Sequence, residues 1–548
     1  MIGNLYTTPA EFNFLATDSS DILSLPNQSL LENHFPTHKR TKMQSPSNKN
    51  YDIIIIGAGS AGAILAARLS EDPTRSVLLL EAGPDYVSLE DLPDDLKYGY
   101  GTSAGIIAIE SHDWHYRATA TEQAQIAIAR GRVVGGSSAV NAQIFLRCVP
   151  DDFAMWVADG NDQWSYEQVL PYFKKLETDR DIQNEYHGHG GPIQVKRYPS
   201  DEWLPNQLAF YEACLAAGYP DCPDHNHPDS TGVGPYPLNN IDGIRYSTAV
   251  AYLNPIRHRP NLTVLANCTA HGIVFERQRA IGVKVEWDGQ IEQRNGGEIV
   301  VSAGAIGSPQ LLMLSGIGPA DHLKQLDVPV RQDLPGVGQN LCDHPAVNMF
   351  WHVRDELALD AQKHWHQIGL RYTADGSNLV NDMIVYVAVD PRNRTLFIRP
   401  TINLALSRGE LTLSSKDPHT QPSLNYRYFD HPFDMARQRE AIQRVLTLVQ
   451  HHGFEEIIDR PIKPLDADLR SEDALTDWIL READTGHHSS STCKMGPSSD
   501  PMSVVDQMGR VHSMSGLRVV DASIMPHCVR ANINATTMMM AERIADSL

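Results

Sequence analysis

A chain of 548 residues exceeds one ordinary hydrophobic core, so two domains are expected. Its 42% hydrophobic and 21% charged residues are the balance of a soluble globular protein. The formal charge of −21, from 46 basic and 67 acidic side chains, argues against nucleic acid and anionic membrane surfaces as partners.

Residues 1–50 lack the basic start and apolar centre of a secretory signal, and Thr37–Asn50 is polar and basic. A loose N-terminal arm is expected there, with a targeting role as the alternative. No apolar run approaches the ~20 residues that a membrane-spanning helix needs. The seven cysteines are odd in number and lack framework spacing, which points to free thiols and a cytoplasmic location. Cys214 and Cys222 could pair, but nothing in the sequence requires it.

Residues 51–83 read as strand, glycine turn, helix, second strand and acid. Ile53–Ile56 is a β-branched run suited to a strand buried on both faces. Gly57, Gly59 and Gly62 follow at G-x-G-x-x-G spacing, for a tight turn, close approach of backbone to a pyrophosphate, and helix–strand packing. Ala61, Ile64, Leu65 and Leu69 recur at helical spacing, so the amide end of a helix faces the phosphates. Val77–Leu80 is the next strand, and Glu81 at its end is placed to accept from a ribose diol. Together these predict a dinucleotide site.

Further along, Tyr166–Leu176 and Met435–Gln450 read as helices, and Glu298–Gly307 and Gly516–Met525 as strand-like pieces of the nucleotide domain. Thr401–Leu406 and Leu411–Ser415 read as antiparallel strands with one wet face. A nucleotide-binding domain in separated pieces with a second domain inserted is the economical arrangement. Residues 131–147, GRVVGGSSAVNAQIFLR, form a second glycine loop whose N–H and hydroxyl groups suit a phosphate or a ring system.

With AGAIGSPQLLMLSGIG (303–318) and the C-terminal GLRVVDASIMP and NATTMMMAERIAD, this set resembles the glucose–methanol–choline (GMC) oxidoreductases, flavoproteins that oxidise alcohols. DGIRYSTAVAYLNP (242–255) and LPGVGQNLCDHP (334–345) support the likeness, which runs from Tyr51 to Leu548. The resemblance implies an α/β fold, α+β overall: a doubly wound, Rossmann-like FAD domain (51–150, 235–345 and 484–548) and an inserted substrate domain of antiparallel sheet and helices (151–234 and 346–483). It also implies a small-molecule alcohol substrate and oxygen or a quinone-like carrier as electron acceptor, with no nicotinamide, since no second G-x-G-x-x-G unit is present.

Carried over by position, Gly57, Gly59, Ser60, Ala61 and Gly62 would hold the pyrophosphate, and Glu81 with Ala82 the adenosine ribose. Arg132, Gly135, Gly136, Ser137, Asn141 and Ala142 would line the flavin side. Ala270 would meet adenine, Asp521 and Ala522 the ribityl-phosphate stretch, and Asn534 the isoalloxazine. Some members attach FAD through a histidine just before the asparagine of the second motif; here that place is Val140, so non-covalent FAD is expected.

Alcohol oxidation needs a base for the hydroxyl proton and a second group to align the α-hydrogen with the acceptor. In TGHHSSSTCKMG (485–496), counting back from Thr492 and Cys493 along the family's H-x-x-x-T-C pattern places the base at His488 and makes His487 a neighbour. Ungapped counting from Pro526 puts the partner at Asn532, a His–Asn pair like that of choline-type dehydrogenases.

The other histidine pairs (His187/His189, His225/His227, His451/His452) lack a third ligand, so no metal is expected. Trp365, Tyr372 and Tyr386 are candidate pocket walls, with core packing the competing role for each, and no aromatic cage with an acid marks a quaternary ammonium substrate. Oxidation of a primary alcohol is the leading function. A hydroxynitrile lyase retaining FAD, a flavin photodecarboxylase and a non-enzymatic binding role are the alternatives.

Overall fold

The computed structural model describes residues 50–99 and 112–548. The expected arm lies outside these residues except for Asn50, which already belongs to the opening strand, Asn50–Ile56. That strand is central to a seven-stranded sheet because its isoleucines are buried on both faces. It pairs in parallel with Val77–Leu80 on one side and with Gln290–Val301 on the other. Leu262–Leu265 extends the sheet in parallel beyond Val77–Leu80. The long strand Gln290–Val301 does two jobs. Its first half continues an antiparallel meander with Cys268–Glu276 and Arg279–Trp287, and its end pairs in parallel with Leu517–Val519.

The expected helix follows the glycine turn as Gly62–Leu69, with every residue buried but Arg68. Arg68 forks onto buried Glu542 at 2.8 Å through both Nε and Nη2, tying this helix to Ile533–Ala545. Met538–Met540 lie buried in that second helix as core filler.

A second sheet has eight antiparallel strands, with Ile458–Lys463, Met349–Val353, Thr395–Ile402, Met383–Asp390, Ile368–Tyr372 and Gly232–Pro235 in spatial order. Pro345–Val347 and Ala483–Thr485 complete it. Helices Pro205–Ala216 and Pro432–Leu448 pack against it. A four-stranded sheet joins Tyr116–Thr121 and Ala124–Ile128 to Glu410–Thr412 and Ser423–Asn425.

Local boundaries differ from the sequence reading in places. Tyr166–Leu176 is helical as expected, and Met435–Gln450 becomes Pro432–Leu448. The strand expected at Thr401–Leu406 is only the tail of Thr395–Ile402, buried on both faces with no wet side. It ends where Ile402 pairs with Met383; beyond that pair the Asn403 and Leu404 amides share the Asp382 carbonyl, and Asn403 Nδ2 donates to the carbonyls of Arg530 and Asn381. Glu298–Gly307 splits between the end of one strand and the start of helix Gly304–Leu314. Among the described residues no helix is long and apolar enough to cross a membrane.

Candidate active site

A deep cleft runs along the carboxyl end of the parallel sheet, where an open α/β fold places its ligands. Gly57, Gly59, Ser60 and Ala61 line it from the glycine turn, Glu81 and Ala82 from the second strand, and Cys268, Thr269 and Ala270 from the meander. Gly136, Ser137, Val140, Asn141 and Ala142 line it from the second glycine loop, and Asp521, Ala522, Asn532 and Asn534 from the C-terminal segment. His487 and His488 close the far end.

The cleft fits a dinucleotide on its own geometry. A Cβ on Gly62 would sit 1.9 Å from the Gly57 carbonyl, so that glycine is required by helix–strand packing. A Cβ on Gly59 would meet only Gly136 Cα at 3.8 Å and would project into the cleft, the space a pyrophosphate needs. Among the described residues no side chain caps helix Gly62–Leu69, leaving its amide end for an anion. Ser60 donates to Asn534 Oδ1 at 2.7 Å, joining the two ends of the chain across the cleft floor.

Glu81 accepts from the amides of Ala58 and Gly83 at 3.0 and 2.9 Å, one on each oxygen, which leaves a lone pair on each for a diol. Burial pushes its pKa up to about 7 against the pull of those amides. Asp521 is more fully committed: it accepts from Ser308 Oγ, Gly304 N and Ser523 N, so it shapes the turn that Ala522 presents.

Three predicted residues stand back from the cleft. Gly62 lies under the turn, Gly135 sits at φ +101° against Ala139 and Ala249, and Arg132 is exposed with its guanidinium over the Trp114 ring. Of the candidate walls, Tyr386 reaches the site, while Trp365 packs with Ala388 and Phe397 and Tyr372 with Tyr219.

His488 follows Ala483–Thr485, whose Thr485 pairs with Pro345. That register sets His344 beside His488, with their Nδ1 atoms 2.8 Å apart. His344 Nε2 lies 2.9 Å from the Val529 carbonyl, which can only accept, so the ring proton is on Nε2. Burial lowers the His344 pKa and keeps the ring neutral, which makes its Nδ1 an acceptor. His488 therefore donates from Nδ1, and its Nε2 lone pair accepts from Asn532 Nδ2 at 3.2 Å, both side chains lining the cleft. Asn532 Oδ1 in turn accepts from the Tyr386 hydroxyl at 3.3 Å, which fixes the amide orientation. One backbone carbonyl thus sets every proton from Val529 to His488.

The His488 pKa is held well below its ordinary value, first by burial and then by His344, His487, Arg130 and Arg399. Arg130 donates to Ser489 Oγ at 2.6 Å, next to His488 in sequence. Asp343 accepts from the backbone amides of both His344 and His488, at 2.7 and 2.8 Å, and so locks the pair. His487 is turned aside at φ +61°, with Nδ1 buried and its pKa lowered by burial. Asn532 opens helix Ile533–Ala545 after a segment pinned by Arg530, which donates to Asp152 at 2.8 Å and receives Arg371 on its carbonyl. Sequence reasoning missed His344, Arg130 and Asp343. The DHP segment holding His344 and Asp343 was visible as a motif, but no local pattern ties it to a histidine 144 positions away.

A cleft of this kind, ending at a neutral histidine and a carboxamide, defines an FAD-dependent oxidoreductase acting on CH–OH groups. Models of the GMC oxidoreductases match residues 51–346 and 405–541, and the chain belongs to that family. An uncharacterized GMC-type oxidoreductase of a thcA 5′ region in Rhodococcus erythropolis is 38% identical over 500 residues, 90% of this chain and 97% of that one. Oxygen-dependent choline dehydrogenase 1 of Chromohalobacter salexigens is 36% identical over 91% of this chain and 95% of its own. Among solved structures, pyridoxine 4-oxidase from Mesorbium loti superposes with a TM-score of 0.82 at 31% identity, over 91% of this chain and 99% of that one.

Proposed function

We propose that the protein oxidises a neutral primary alcohol to its aldehyde, with His488 as base and Asn532 as the residue that holds the alcohol oxygen. The carrying observation is that His488 Nε2 accepts from Asn532 Nδ2 at 3.2 Å on the cleft wall, a bond into which a substrate hydroxyl can insert. The substrate O–H donates to Nε2, and the alcohol oxygen accepts from Asn532 Nδ2 as the proton leaves. Bound FAD supplies the two-electron acceptor for the α-hydrogen. The flavin is held non-covalently, since the cleft wall offers Val140 where an attaching histidine would stand. The cofactor contacts follow the lining residues from Gly57 to Asn534 described above, and oxygen or a quinone-like carrier takes the electrons.

Choline is disfavoured as substrate. Among the described residues lining the cleft, the carboxylates are Glu81 and Asp521, both engaged by backbone or side-chain donors from the protein and neither beside His488. Among the described residues that line the catalytic end, none offers a carboxylate to a quaternary ammonium. The FAD domain is read as 51–150, 235–345 and 484–548 and the substrate domain as 151–234 and 346–483. The seven cysteines are all unpaired and buried, which supports the cytoplasmic reading. Anaerobic mixing with aromatic, aliphatic and amino alcohols tests the proposal. A neutral primary alcohol should bleach the flavin and choline should not. Turnover of a hydroxynitrile with the flavin still yellow would favour the lyase instead.

A further inference from the structure

Two side-chain clusters outside the cleft carry metal-ligating groups. The first, Glu177, Asp179 and His187, is buried, and Arg147, Arg197 and a charged His187 balance the carboxylates of Glu177, Asp179 and Asp224. Three positive and three negative groups leave no charge for an ion to neutralise.

The second cluster differs. His271 Nε2 and His419 Nε2 both point at one oxygen, Glu286 Oε2, at 3.0 and 2.8 Å. No cationic side chain pairs with that carboxylate among the described residues except these two imidazoles. The rings meet edge to face at 5.2 Å and 88°, so their nitrogens converge from different directions. His271 is the extra residue where the strand register slips between Ala270 and Gly272, a bulge of the kind that re-aims a side chain. Two imidazole nitrogens and a carboxylate oxygen, all within 4.8 Å of one another, suit a zinc-type ion, whose ~2.0–2.1 Å bonds require the two N···O contacts to open by about 0.4 Å. His419 is 57% exposed, which leaves a coordination position for water.

We propose that His271, Glu286 and His419 form a divalent transition-metal site that staples a turn to the sheet and slows release of FAD. Binding takes the Nε2 lone pairs, so each neutral ring carries its proton on Nδ1 in the metal-bound form. The staple joins segments far apart in the chain, and each neighbours a wall of the cofactor cleft: Ala270 precedes His271, and Pro418 precedes His419.

Tag-free, FAD-loaded full-length protein at about 50 μM, titrated calorimetrically with Zn²⁺, tests the site. The wild type should take up one equivalent at this position, and His271→Ala and His419→Ala should each lose at least about tenfold in affinity. Flavin release, followed by the rise in free-flavin fluorescence, should slow severalfold with zinc in the wild type and not in His419→Ala. Absence of uptake, or uptake unchanged in both variants, overturns the site. Uptake at the site with unchanged flavin release overturns the staple.

Discussion

The proposed role of His488 as base rests on what lies behind it. The Val529 carbonyl assigns the His344 proton, His344 assigns the His488 proton, and the lone pair is left facing Asn532. His344→Leu removes the acceptor and frees the ring to rotate or change tautomer, which should lower the rate of flavin reduction on the order of 10²-fold. His344→Asn sets an oxygen near the former Nδ1, so it should retain most of the rate, with substrate affinity little changed in either variant. Equal losses in both would show that His344 only fills space. The depressed His488 pKa makes a second expectation. A base with a lowered pKa stays unprotonated as pH falls, so kcat/KM should run flat through about 6.5 and drop only well below it. An inflection at or above 6.5 in stopped-flow profiles would contradict the assignment.

At the scale of elements, the glycine turn separates two roles that its motif merges. Gly62→Ala collides with the Gly57 carbonyl and should impair folding itself, lowering Tm with or without flavin. Gly59→Ala has room in the protein and should leave the apoprotein Tm near wild type while weakening FAD binding. Thermal melts of both apoproteins beside flavin titrations distinguish these outcomes. This turn was legible in the sequence because its constraints are steric and local, spanning six residues from Gly57 to Gly62. His488 and Asn532 were reached by counting within motifs, and the structure sets their side chains 3.2 Å apart. The link from His344 to His488 was not, because it depends on the pairing of Pro345 with Thr485, and strand register between distant segments leaves no local trace. The strand expected at Thr401–Leu406 is displaced for a similar reason: its ladder ends where Ile402 pairs with Met383, a register the local sequence does not record.

Across the whole molecule, the active site is assembled by buried polar anchors from both ends of the chain. Arg68 on Glu542 ties the C-terminal helix to helix Gly62–Leu69, and Arg530 on Asp152 ties the segment before it to helix Pro150–Ala158. A third network stands apart from the chemistry. Burial alone would lower the His187 pKa, but bonds to Asp179, Asp224 and Glu177 raise it to about 10. A pKa raised in the folded state contributes stability that is fully present below the unfolded value of about 6.5 and is lost as pH rises through about 10. The Tm of the wild type should therefore fall between pH 8 and 10.5 more steeply than that of His187→Gln, which has no proton to lose. Parallel slopes in the two proteins would show His187 to be uncharged. The central claim is tested most directly by anaerobic stopped-flow reduction of FAD-loaded His488→Ala with the best alcohol. A loss of ~10²–10⁴-fold is expected with the flavin still bound. Reduction within about twofold of wild type would contradict it.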